Sequence, residues 1–191
     1  MDTIEARART EAKLLDELPL RLHHNAYVVK DHEANRRFLE DLLGIPLVAT
    51  WCERTWRADL GREVDFCHTF FGLKDGGALA FFQFANKSDQ DQFGPQMPFS
   101  PFHHIALNVD GETQAAVEKR IAASGMKEPQ TFVLEHGYCR SVYVTDPNGL
   151  IVELTHDAPN VEKINSDRLA DARSELKRWL AGDHHSNNNY R

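Results

Sequence analysis

Histidine pairs open two similar segments in different halves of this chain. Residues 22–31 read LHHNAYVVKD, and residues 102–110 read FHHIALNVD. Imidazole is the commonest metal ligand in proteins, so histidine at matched places in two repeated units is what a shared metal site requires. The repeat therefore predicts two modules that face each other across one site.

Strand alternation indicates which histidine of each pair faces that site. Successive side chains of a strand point to opposite faces. In the second segment His104 shares its face with Ala106 and Asn108, which are small and leave space, whereas His103 shares its face with larger apolar residues. The same reasoning favours His24 over His23 in the first segment.

A carboxylate completes the predicted ligand set. Glu153 lies in the middle of a predicted strand, residues 150–155, where an unpaired buried charge would be costly. Two histidines and one carboxylate on rigid strands match the triad that holds Fe(II) in non-haem enzymes. The alternative is that each strand histidine is only a hydrogen-bonded core residue.

The elements that position these residues form a repeated order of strand, helix and three strands. Asp31 and Asp110 are predicted N-caps, and Gly44 and Gly125 predicted C-terminal glycines, of the two helices. The chain divides into five predicted segments: an N-terminal helix (1–21), a first βαβββ module (22–86), a linker (87–100), a second βαβββ module (101–158), and a C-terminal helix with a polar tail (159–191).

Composition excludes several functional classes. The 191 residues carry a formal net charge of −7, which argues against binding to nucleic acid or to an acidic membrane surface. We find no apolar stretch long enough to span a bilayer and no apolar leader in the charged residues 1–21, so we expect a cytoplasmic protein.

The repeated βαβββ order resembles the vicinal oxygen chelate superfamily, which includes glyoxalase I, fosfomycin-resistance proteins and extradiol ring-cleavage dioxygenases. The resemblance covers about residues 22–157. It implies an α+β fold in which two tandem modules form an open-barrel cleft about a pseudo-two-fold axis. It also implies metal ligands at the ends of the modules, at positions occupied here by His24, Gln83, His104 and Glu153.

Residues 136–153, HGYCRSVYVTDPNGLIVE, resemble the extradiol dioxygenase signature in particular. This resemblance implies that Tyr143 hydrogen-bonds the bound substrate and that His136 moves a proton beside the dioxygen pocket. Gln83 stands where related enzymes carry a histidine or a glutamate ligand. Glutamine cannot act as a base, so Gln83 is expected to be either a weak fourth ligand or a contact to the substrate.

The implied function is Fe(II)-dependent extradiol cleavage of a catechol-type aromatic by dioxygen, performed by a homo-oligomer. Mn(II), Zn(II) or Ni(II) are alternatives to Fe(II). Two other functions remain open at this point: a metal-dependent lyase or isomerase of the glyoxalase type, and a non-catalytic binding protein of the bleomycin-resistance type.

Overall fold

A computed structural model describes residue 15, residues 17–95, residue 98 and residues 100–190. The N-terminal helix expected within residues 1–21 lies mostly outside this part of the chain. Residues 17–21, which are described, form bends and irregular structure rather than helix.

The first module contains the predicted order of elements, and its first strand has only two residues. Asp31 caps α1 by accepting hydrogen bonds from the backbone N–H groups of Glu33 and Ala34. A π-helical segment, Arg37–Leu42, continues α1. The elements are β1 (Tyr27–Val28), α1 (His32–Arg36), β2 (Leu47–Arg57), β3 (Arg62–Gly72) and β4 (Ala78–Phe84).

The second module repeats this order. Asp110 caps its helix, and Gly125 ends it with a φ of 80° in the left-handed region, where glycine carries no steric cost. The elements are β5 (His104–Asn108), α3 (Gly111–Ser124), β6 (Thr131–Glu135), β7 (Cys139–Thr145) and β8 (Ile151–Asp157).

Each module forms one four-stranded sheet, and the two sheets have the same topology. The strand orders are β1-β4-β3-β2 and β5-β8-β7-β6. In both sheets the first strand pairs in parallel with the last, and the remaining pairs are antiparallel. The predicted α+β class and the internal repeat are therefore confirmed.

One continuous apolar core joins the helix-bearing sides of both modules. It contains Leu39 and Phe81 from the first module and Ile121 and Val152 from the second, each 4 % exposed or less. Since the helices and this core cover one face of each sheet, the opposite faces are left for other contacts. Side chains alternate between the two faces of β5, and those of Ile105 and Leu107 pack against the core. His104 therefore lies on the open face.

Two further helices lie outside the modules. The predicted linker contains a short helix, α2 (Lys87–Phe93), whose Asp89 is buried and paired with Arg62. The C-terminal helix, α4 (Val161–Leu180), begins within the segment where it was predicted. None of the helices in the described residues has the length and apolar character needed to cross a bilayer.

A substitution at Leu39 tests how much the shared core contributes to the free energy of unfolding. Its side chain is 1 % exposed, and we expect Leu39→Ala to lower the free energy of unfolding by about 2 to 5 kcal/mol because it leaves a cavity. The same substitution at Leu169, which is 80 % exposed on α4, should cost less than about 0.5 kcal/mol. Urea denaturation followed by tryptophan fluorescence measures both values, and equal losses would contradict the assignment of the core.

Candidate metal and substrate site

The open face of the second sheet carries a row of functional side chains. Residues that pair directly across neighbouring strands point to the same face. Ala106 pairs with Glu153, Glu153 with Tyr143, and Tyr143 with Phe132. The row thus crosses all four strands, and its position follows from strand register.

His104 and Glu153 form the centre of this row. The Nε2 atom of His104 lies 3.0 Å from the Oε2 atom of Glu153, whose side chain is 8 % exposed. Burial of a carboxylate is costly unless it is paired or coordinated. Among the described residues no lysine or arginine forms an ion pair with Glu153, so this carboxylate is available to a cation.

Tyr143 lies beside Glu153 and is held on its other side by an aromatic contact. Its ring stacks on Phe132 with the centroids 4.7 Å apart, and it meets the ring of His104 edge-on at 5.6 Å. Burial and a hydrogen bond with Glu153 raise the pKa of the Tyr143 hydroxyl to about 12. This phenol therefore keeps its proton at neutral pH and acts as a hydrogen-bond donor.

His136 extends the row from the hairpin between β6 and β7. Its Nε2 atom lies 3.1 Å from the Tyr143 hydroxyl oxygen, and its ring stacks on that of Tyr138 at 5.6 Å. The result is a series of neighbouring polar side chains that runs from His136 through Tyr143 to Glu153 and His104. Such a series can hold and transfer a proton beside a substrate bound over the sheet.

A cavity of about 570 Å³ opens over these side chains. This volume falls within the range of small-molecule sites. Its walls combine the polar row with apolar side chains of the sheet and with the first turn of α4, including Phe132, Leu134, Tyr138 and Val161.

His24 lies on the open face of the first sheet. It forms an isolated parallel bridge with Ala78 and is solvent-exposed. Its Nδ1 atom is 2.7 Å from that of His23, and its ring lies 5.6 Å from the ring of Phe70. In the part of the chain that is described, no three His, Cys, Asp or Glu side chains are grouped to hold a metal ion, so His24 does not complete a cluster with His104 and Glu153 within one chain.

Gln83 lies on the opposite, helix-facing side of the first sheet. Its Oε1 atom accepts a hydrogen bond from the backbone N–H of His32 at 2.8 Å, and it pairs in register with Cys67. Its neighbour Phe82 occupies the open face, where it stacks on His68 at 3.6 Å. The observed partner of Gln83 is thus the start of α1.

His68 is a neighbour of His24 that the histidine repeat does not indicate. It is 9 % exposed, and its ring is 6.1 Å from that of His24. Its Nε2 atom is buried and has no hydrogen-bond partner among the residues that the structure describes. Burial, with smaller effects of His24 and His32, lowers the pKa of His68. Alternation along β3 could have predicted that His68 faces the open side, because Phe66 and Phe70, two residues before and after it, share that face.

Three solved structures are similar to this chain at low sequence identity. A fosfomycin-resistance protein, FosX, from Listeria monocytogenes matches with a TM-score of 0.51 and 19 % identity, covering 75 % of this chain and 98 % of that one. The protein SMU.1112c matches with a TM-score of 0.50 and 18 % identity, covering 71 % and 97 %. The oxidase ChaP-H2 matches with a TM-score of 0.48 and 17 % identity, covering 74 % and 96 %.

At these identities the similarity concerns the fold alone. No curated protein matches this chain. A family model described as the glyoxalase/bleomycin resistance protein/dioxygenase superfamily matches residues 21–154. This range includes the first module and all of the second up to the middle of β8, and it ends just after Glu153. Most of the chain, together with the row on the second sheet, therefore falls within the match. The chain therefore belongs to the glyoxalase/bleomycin resistance protein/dioxygenase superfamily.

Proposed function

We propose that the protein is an Fe(II)-dependent dioxygenase that opens the ring of a catechol-type aromatic beside its two hydroxyl groups. The observation that carries this proposal is the series His136, Tyr143, Glu153 and His104 on one sheet face. In this series two candidate metal ligands lie next to a phenol and a second imidazole. Ring cleavage by dioxygen needs both a redox-active cation and groups that handle protons.

The side chains present fit a divalent transition metal. An imidazole nitrogen and a buried carboxylate oxygen 3.0 Å apart are ligand types that Fe(II) accepts, with Mn(II), Zn(II) and Ni(II) as alternatives. We propose His104 and Glu153 as two ligands and His24 as the third. When bound, Fe(II) would supply the electron transfer between the aromatic substrate and dioxygen that neither reactant achieves alone.

Tyr143 and His136 would act on the substrate through protons. The raised pKa of Tyr143, about 12, keeps its hydroxyl protonated, so it would donate a hydrogen bond to a substrate oxygen once Glu153 is engaged with a cation. His136, 3.1 Å from that hydroxyl, would accept or return the proton that the catechol exchanges during the reaction. Gln83 has no role in this proposal, because its Oε1 atom is bonded to His32.

We propose that His24 of the partner subunit completes each site in a homodimer. His24 is exposed on the open face of the first sheet, and Trp51 on the same face is 59 % exposed. Exposed aromatic surface on a sheet favours association. Pairing the first sheet of one copy with the second sheet of another would bring the two open faces together and form two equivalent sites.

Oxygen dependence tests the proposed reaction. Protein loaded anaerobically with Fe(II) and mixed with a panel of catechols should, on admission of air, take up one dioxygen per substrate and form a yellow ring-fission product. Glu153→Gln, treated in the same way, should bind less iron and take up no oxygen. Turnover that needs no oxygen in protein loaded with Zn(II), Ni(II) or Mn(II) would instead support a lyase or isomerase. Tight binding of a catechol by metal-free protein, without turnover, would support a binding protein.

Mixed dimers test the source of the third ligand. His24→Ala and Glu153→Gln should each be inactive alone, but co-refolded chains should recover about a quarter of the wild-type activity, since half the dimers are mixed and each has one intact site. Two copies of the same variant mixed after separate labelling provide the control. No recovery, despite mixed dimers seen by mass spectrometry, would show that the site does not use His24 of the partner subunit.

Removal of the Tyr143 hydroxyl tests its proposed role as a hydrogen-bond donor to the substrate. Tyr143→Phe should lower kcat by about 10²- to 10³-fold, because one preorganised donor to a developing charge is lost. Iron content and the free energy of unfolding should stay close to those of the wild type. Tyr27→Phe, an equal change on the first sheet, should leave kcat unchanged, and equal rates for wild type and Tyr143→Phe would remove Tyr143 from the mechanism.

A further inference from the structure

The end of the chain returns to the hairpin that carries His136. The side-chain amide of Asn188 donates a hydrogen bond from Nδ2 to the backbone carbonyl of His136, at 3.2 Å. The Oδ1 atom of Asn188 accepts from the backbone N–H of Tyr190, at 3.0 Å. One side chain therefore both shapes the tail and attaches it to the hairpin.

Gly137, the next residue of the hairpin, is where the tail comes closest to the hairpin backbone. Its φ is 84°, and a Cβ atom built there would overlap the backbone carbonyl group of Tyr190. Only a glycine leaves room for the tail at this position. Gly125, whose φ is 80°, has no atom of the described residues within 4 Å of a built Cβ, and at Gly44 the nearest atom belongs to the end of the Arg120 side chain. Among the described glycines with positive φ, only Gly137 meets backbone atoms of another segment.

The tail is also attached along its length to α4. Arg178 donates to the carbonyl of His185 at 2.8 Å and pairs with Asp183 at 2.9 Å. Arg168 donates to the carbonyl of Asn187 at 3.2 Å. These bonds give residues 183–190 a defined course from the end of α4 to the hairpin.

We propose that this tail is a brace for the site and that Asn188 is a positioning residue for His136. The hairpin closes through a hydrogen bond from the N–H of His136 to the carbonyl of Cys139, at 2.9 Å, and its outer side faces the tail. Fixing the His136 backbone fixes the distance from its ring to the Tyr143 hydroxyl, 3.1 Å. The consequence for catalysis rests on the proposed function, whereas the bracing itself does not.

Three variants separate the brace from general effects on stability. Gly137→Ala introduces a Cβ that must displace the tail, whereas Gly125→Ala introduces the same strain of positive φ with no neighbour to displace. Asn188→Asp keeps the oxygen that accepts from Tyr190 and removes the donor to His136. Deleting residues 186–191 removes the brace altogether without changing the hairpin.

Hydrogen exchange and ring nitrogen spectra measure the structural part. In Gly137→Ala, the amides of His185, Asn188 and Tyr190 should exchange at least about tenfold faster than in wild type, since release of the tail breaks the hydrogen bonds that they donate within it. The ¹⁵N signals of the His136 ring should shift in Gly137→Ala, Asn188→Asp and the deletion variant, and stay unchanged in Gly125→Ala. An unchanged His136 signal in a variant whose tail is released would overturn the proposal.

Kinetics with Fe(II)-loaded protein and a catechol measure the catalytic part. Release of the tail should lower kcat by about tenfold with KM changed less than about twofold, since a displaced proton-transfer group affects the reaction more than binding. Gly125→Ala should match wild type in both constants. If the wild type shows no oxygen uptake, the proposed function fails while the His136 signal still decides the brace; wild-type kcat in the deletion variant would reject its catalytic role.

Discussion

The second module is organised around one constraint, the buried carboxylate of Glu153. Among the described residues it has no lysine or arginine partner. Glu153 is held in the centre of a sheet, where desolvation penalises its charge. The imidazole of His104 lies 3.0 Å from its carboxylate, and Tyr143 is its neighbour across the strands. Both are weaker compensation than a guanidinium or ammonium group, so the arrangement favours binding of a cation. A protein selected for stability alone would be better served by an apolar residue at this position.

The shared core explains why the predicted ligands lie apart within one chain. Helices of both modules pack together on one side of their sheets, and the core runs without interruption from Phe81 to Val152. This packing turns the histidine-bearing faces away from the common core. His24 and His104 are thus equivalent in the repeat, yet a second copy is needed to bring them to one ion in the arrangement we propose. Dimerisation and metal binding would then be coupled, because ligands from two subunits bind more tightly when the subunits are associated.

The residues that we propose to handle protons, Tyr143 and His136, depend on support from four parts of the structure. Strand register places Tyr143 beside Glu153, stacking on Phe132 holds its ring, and the β6–β7 hairpin carries His136 to its hydroxyl. The outermost part is the C-terminal tail, which touches the hairpin through Asn188 and Tyr190. Residues that never approach a substrate can therefore govern the geometry of the groups that do.

The sequence by itself determined the repeat, the strand and helix order within each module and the faces on which His24 and His104 lie. These depend on local rules: alternation in β5 separates His104 from Ile105, and Asp31 and Asp110 mark helix starts. The tertiary structure alone decided which faces meet. It showed that Gln83 accepts a hydrogen bond from the backbone of His32 and that His68 is buried beside His24. It also showed a helix, α2, within the expected linker and the C-terminal tail against Gly137. Such contacts depend on how helices pack and on where distant segments return, and no periodicity within a strand or helix encodes them.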